Sequence, residues 1–282
     1  MRPLKQCINF LKTIKPKMPR KYSTSADLLV KTTVNDKSGV ATVSLNRPPV
    51  NSLNLELLQS LGETLNVLEQ NKCHGMILTS ESPSVFCAGL DILEMYKPDK
   101  DRVCKFWTTL QDTWLKLYLS PYPTVAAING HSPAGGCLLA LSCEYRIMVA
   151  PKFTIGLNET KLGMLAPDWF QICMKNVIGE RQTELALTLG KMFSADEAFK
   201  IGLVDELASS KEEAIKSAEV FLESFSNIPV LPRISTKHLF RKSLADLLRN
   251  NRVEDLNIFL NYINQPKVQQ GLELYMQSLK KK

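Results

Sequence analysis

The chain has 282 residues, 44% of them hydrophobic, with 35 Lys and Arg against 28 Asp and Glu. That is enough for one large domain or two smaller ones around a sizeable core, and no uninterrupted apolar run approaches the roughly 20 residues of a membrane span. The basic excess sits in one place: residues 1–26 carry seven Lys or Arg and no acid, so the rest holds 28 of each sign and lacks the basic footprint of a nucleic-acid surface.

The basic arm ends in Tyr22-Ser-Thr-Ser25, and its apolar patch Ile8-Asn-Phe-Leu11 is too short for a secretory core. The composition fits a mitochondrial transit peptide over 1–26, with a disordered basic tail as the other reading. Seven cysteines form no Cys-x-x-Cys pair and only three histidines exist. Neither a metal site nor a disulfide framework is expected, and buried free thiols are the default.

Leu28 to Val34 and Val40 to Leu45 alternate around the turn cluster Asp36-Lys-Ser-Gly39, which predicts a β-hairpin. Asn54 is placed to cap a helix over about 55–71, with Leu57, Leu58, Leu61 and Leu65 on one face. Gly75 to Thr79 reads as a buried strand. Phe86 to Gly89 ends an extended segment before a helical turn, and a helix is predicted over about 101–120.

Val125 to Ile128 is a short apolar strand that breaks at Asn129-Gly130 and reaches Gly135-Gly136, after which Leu138, Leu139 and Leu141 mark a helix. A helix start offers unpaired N–H groups and partial positive charge, and glycine lets a ligand approach them. The stretch is either a site for an oxygen carrying negative charge or a turn that packs a helix on a sheet. Tyr145 to Ala150 is the next strand. Alternating strands and helices to about residue 150 indicate α/β architecture with parallel strands, whose ligands sit near strand carboxyl ends. After about 160 the pattern is almost wholly helical, with apolar faces over 182–190, 210–225, 233–248 and 253–264.

Gly130-His-Ser-Pro-Ala134 imitates a serine nucleophile elbow. The residue after the serine would have to donate its N–H to an oxyanion, and Pro133 has none. Ser132 and His131 therefore read as loop residues.

Three runs then combine. Phe86-Cys-Ala-Gly-Leu-Asp91, Asn129-Gly-His-Ser-Pro-Ala-Gly-Gly-Cys137 and Ile155-Gly-Leu-Asn-Glu-Thr-Lys-Leu-Gly163 resemble, in that order and spacing, the crotonase superfamily of enoyl-CoA hydratases and isomerases. The likeness covers about residues 28–265 and is greatest to the superfamily's mitochondrial isomerases. It implies a crotonase-like ββα spiral core over 27–205 and a C-terminal helical region, 206–282, that serves trimerisation. It implies an acyl-CoA substrate, no separate cofactor or metal, a homotrimer and a place in the mitochondrial matrix.

The resemblance also implies site residues. The N–H groups of Leu90 and Gly135 would form an oxyanion hole for the thioester oxygen. Ala88, Gly89, Leu90, Asp91 and Ile92 would line the coenzyme A portion, and Asn158 would contact substrate or shape its loop. Hydratases of the family carry one glutamate directly after the Gly-Gly-Cys turn and another in the later Glu-x-x-Leu-Gly run. Here the first position is Leu138 and the second is Glu159. Hydration calls for two acid–base groups, whereas moving a double bond from C3 to C2 needs one base that takes a proton from C2 and returns it to C4. The expected activity is therefore that of an isomerase with Glu159 as the proton shuttle. Without the resemblance Glu159 would read as a loop carboxylate capping its turn. A hydratase and a non-catalytic acyl-CoA-binding protein are the alternatives. Met164, Leu165, Trp169 and Phe170 are candidates for the acyl-chain wall. Glu144 is expected to pair with Arg146 or another neighbour.

Overall fold

The alternation at the start of the described chain produces two antiparallel strands, β1 (Val30–Val34) and β2 (Val40–Leu45), with Val30 opposite Leu45 and Val34 opposite Ala41. The turn between them is held by Asn35, whose Oδ1 accepts from the N–H of Lys37 at 3.0 Å. The structure is a computed structural model describing residues 28–280, so the transit peptide expected over 1–26 lies outside the described residues.

Helix α1 (Leu55–Gln70) starts where its cap predicts: Asn54 Oδ1 accepts from the Leu57 N–H at 3.0 Å. Its leucines at 57, 58, 61 and 65 are buried, as their spacing requires. Strand β3 (Gly75–Ser80) runs parallel to β2 and is buried along its whole length. Helix α2 (Lys100–Tyr118), capped by Asp99, returns the chain to β4 (Thr124–Ile128). A two-residue strand, β5 (Ser132–Pro133), precedes α3 (Gly135–Ser142), which leads to β6 (Tyr145–Val149) and β7 (Thr154–Gly156). Beyond these lie α4 (Asp168–Ile178), α5 (Glu180–Leu189), β8 (Phe193–Ser194), α6 (Ala195–Lys200), β9 (Glu206–Ala208), α7 (Lys211–Glu223), α8 (Val230–Ile263) and α9 (Pro266–Lys280).

The main sheet has the order β1-β2-β3-β4-β6-β9 and is parallel from β2 onward; β5-β7-β8 form a second, small sheet. The period of two along each strand sorts the core into layers. Met76, Leu78, Ala126, Ile128 and Met148 face the large cluster beneath α1 and α2. Ile77, Val125, Ala127, Ile147 and Val149 face α7, against Ala214, Ala218 and Leu222. Each fully buried leucine or isoleucine here contributes about 1.5–3 kcal/mol.

Beyond 160 the chain is almost wholly helical, as expected, apart from the short strands β8 and β9 that join the sheets. Such two- and three-residue strands carry no periodicity; partners supplied by the fold define them. The sheet layer also continues past the boundary drawn at 205, since β9 pairs with β6 and α7 covers the sheet. The helices expected over 233–248 and 253–264 form one long helix, α8, interrupted at Asn251 (φ −118°, ψ 18°).

Glu144 pairs with its other candidate. Its Oε2 lies 2.8 Å from Lys237 Nζ, while Arg146 bonds Asp205 at 2.7 Å. Burial pulls the Lys237 ammonium down to about 8, opposed by the Glu144 charge. Among the described residues no helix is long and apolar enough to cross a membrane.

Candidate active site

Two backbone segments meet at the amino end of α3. The first is 86–91. Leu53 N–H donates to Gly89 O at 2.8 Å, and Asp91 N–H donates to Leu53 O at 3.0 Å. This parallel pairing leaves the intervening Leu90 N–H outside the ladder. The second segment is the start of α3, where Gly135 as first helical residue has no intrahelical partner for its N–H. A Cβ added to Gly89 would lie 3.2 Å from Gly135 N, so the two amides are neighbours.

The approach depends on glycine. A Cβ on Gly136 would sit 2.2 Å from Cys87 O, and Gly89 has φ +88°. Between them Ala134 takes φ 49°, ψ −120°, an uncommon conformation for a residue with a side chain, and its N–H donates to Gly156 O at 2.8 Å. Next to the pair, Asp91 caps the 3-10 turn Ile92–Glu94 through Leu93 N–H (3.0 Å) and bonds Arg47 at 2.8 Å. Ala88 N–H is taken by Val50 O at 3.0 Å.

Glu159 opens the 3-10 turn Glu159–Leu162, which follows β7 and ends at Gly163 in the left-handed conformation. Thr160 Oγ1 anchors the turn to Leu187 O at 2.6 Å, and Tyr262 Oη donates to Gly163 O at 2.9 Å. The Glu159 residue is 6% exposed, and neither carboxyl oxygen has a protein partner. Burial pushes its pKa up to about 7, opposed weakly by its own backbone N–H, which falls short of hydrogen-bond geometry. Asn158 Oδ1 is likewise buried and unpartnered. Leu138, on α3, is fully buried.

A cavity of about 340 Å³ joins these parts, lined by both Leu90 and Glu159. Its walls include all four acyl-wall candidates, Met164, Leu165, Trp169 and Phe170. Of the other expected contact residues, Ala88, Gly89, Asp91, Ile92, Gly135 and Asn158 are not among its lining. Gly89 and Gly135 stand directly behind Leu90. A larger, more open depression of about 430 Å³ between Lys152 and Lys211 contains none of the expected site residues.

Sequence reasoning missed the far wall, supplied by α2 and the second half of α8. Trp107 stacks on Phe259 with centroids 3.6 Å apart. Asp255 accepts from Trp107 Nε1 (2.6 Å), Gln111 Nε2 (2.7 Å) and Trp169 Nε1 (3.1 Å). One signal was present: a buried indole N–H usually finds an acceptor, which Trp107 and Trp169 have in Asp255. Nothing local pointed to residue 255.

Comparison with known proteins agrees with this reading. The family model described as enoyl-CoA hydratase/isomerase matches residues 35–282. The mitochondrial enoyl-CoA delta isomerase 1 of Mus musculus is 46% identical over 87% of this chain and 85% of its own length. Its Rattus norvegicus counterpart is 43% identical over 93% and 90%. The crystal structure of human mitochondrial delta3-delta2-enoyl-CoA isomerase superposes with a TM-score of 0.87 at 40% identity, covering 90% of this chain and 98% of that one. An enoyl-CoA hydratase from Bacillus halodurans reaches 0.79 at 25% identity, covering 87% and 99%. The expected crotonase-like architecture is thereby borne out.

Proposed function

The chain belongs to the enoyl-CoA hydratase/isomerase family, and on that premise we propose that it is an enoyl-CoA delta isomerase. It moves the double bond of a 3-enoyl-CoA to the 2-trans position, a step in β-oxidation of unsaturated fatty acids. The observation that carries this reading is one buried, unpartnered carboxyl, Glu159, in the cavity that Leu90 also lines, while by family resemblance the buried Leu138 stands where a hydratase has its other acid.

The chemistry follows from the arrangement. The thioester oxygen accepts from the Leu90 and Gly135 amides. Glu159 removes a proton from C2, the electron pair delocalises into a dienolate, and the charge rests on the thioester oxygen. Glu159 then delivers the proton to C4. Fixed donors at that oxygen are worth about 3–4 kcal/mol each to the transition state. A carboxyl titrating near the working pH exchanges its proton readily in both directions. Asp255, Asp168 and Glu254 also line the cavity, but Asp255 is engaged by three N–H donors and the other two are exposed to solvent, which leaves Glu159 as the buried free base. Ala88 to Ile92 follow the coenzyme A portion, Asn158 contacts substrate or shapes the loop that carries Glu159, and no cofactor is needed because coenzyme A is part of the substrate.

Turnover of a 3-enoyl-CoA, compared with hydration of a 2-enoyl-CoA, tests the assignment. Faster hydration would overturn it. Loss of isomerisation with retained coenzyme A binding in Glu159→Gln separates an enzyme from a passive acyl-CoA binder.

Assembly as a homotrimer through the C-terminal helices is part of the same proposal. Support comes from Leu231, Leu239 and Phe240 on α8, which are 77%, 75% and 83% exposed. Light scattering on the purified protein reads the stoichiometry. Residues 1–26 serve as the mitochondrial transit peptide and the mature enzyme works in the matrix. The composition of that arm and the mitochondrial relatives support this.

A further inference from the structure

The acyl cavity is anionic. Among the described residues that line it, Glu159, Asp168, Glu254 and Asp255 are acids, and none is Lys, Arg or His. Asp168 and Glu254 are exposed, while Asp255 lies half-buried below them. Three N–H donors converge on the two Asp255 oxygens. Arg252, the nearest cation along α8, is drawn to Asp112 at 2.8 Å and to Gln111 Oε1 at 3.1 Å.

A chain that enters past Leu90 and Glu159 therefore meets negative charge beside its far end, from one half-buried carboxylate and two exposed ones. Repulsion from the half-buried group is stronger than between fully solvated surface charges. We propose that Asp255, with Glu254 and Asp168, makes the cavity discriminate acyl groups by the charge at their far end. Chains ending in a carboxylate are excluded, and neutral or cationic ends are admitted. This specificity rests on the acyl-CoA reading of the cavity.

Plain apolar walls would penalise any charged end, so opposite charges must be compared. Saturated acyl-CoAs of equal medium length, ending in carboxylate, carboxamide or ammonium, are titrated into the full-length protein by calorimetry at pH 7. The ammonium and carboxamide probes are expected to bind roughly tenfold tighter than the carboxylate. Asp255→Asn and Glu254→Gln should each narrow the ammonium-to-carboxylate ratio by about threefold or more. Because Glu254 is exposed, its variant keeps the test open if Asp255→Asn does not fold. Equal weakening of both charged probes, or a ratio unmoved by the Glu254 variant, would overturn the proposal. Turnover of a methyl-terminated 3-enoyl-CoA, measured in parallel, reports on the isomerase reading separately.

Discussion

Replacing Glu159 by Gln should make the protein more stable at high pH while disabling it. Burial raises the carboxyl to about 7 in the fold, against an ordinary value of 4.5. A folded pKa raised in this way contributes stability that is complete below the unfolded value and is lost as pH rises through the folded one. The residue is 6% exposed, so solvent screening does not discount the effect. Linkage over these two values gives a loss of roughly 2.5 kcal/mol between pH 5 and pH 8, from which Gln is exempt. The amide meets the same unpartnered surroundings, but that cost does not vary with pH and cancels in the comparison. Urea midpoints of both proteins at pH 5 and pH 8, at one protein concentration, measure the difference. Parallel stability curves would refute the argument, because they would mean Glu159 is as well solvated in the fold as in the unfolded chain. In the same variant kcat should fall by roughly 10² to 10⁴.

Four more outcomes follow. The wild-type kcat/KM should fall about tenfold per pH unit below about 7, where the base becomes protonated, and reach a plateau above it, as stopped-time assays across pH would show. Gly136→Ala forces a methyl against Cys87 O at 2.2 Å and should lower urea stability by about 3 kcal/mol. Gly89→Ala, at φ +88° with its added Cβ 3.2 Å from Gly135 N, should cut kcat by roughly 10² to 10³ in steady-state assays, since it disturbs the amide pair. Lys237→Met leaves Glu144 without its cation and should cost about 3 kcal/mol, much of it recovered by adding Glu144→Gln.

The parts legible in the sequence are those with a local cause. Asn54 and its leucine stripe specify α1 with no help from elsewhere, and the alternation of Val30 to Leu45 specifies the hairpin. The glycine junction at Gly135 was visible because only a close backbone approach calls for a Gly-Gly pair at a helix start. What escaped was set by distant partners. Ser132–Pro133, Thr154–Gly156 and Phe193–Ser194 are strands only because each meets another. Asp255 sits in the pair Glu254-Asp255 and resembles any solvated helix carboxylate until two indoles from α2 and α4 are brought to it. The interruption of α8 at Asn251 was legible as a gap between two apolar faces, although its continuity as one helix was not.

The contact between Cys87 O and the first turn of α3 has a consequence for how such a protein changes over generations. Main chain presses on main chain there, with no space for even one methyl group. The spacing of the charge-holding amides is thus inherited from the fold and is indifferent to which side chains surround it. Mutation is free to rebuild the chamber around the acyl group, altering what is admitted, while the part that tames the reaction's charge goes on working untouched.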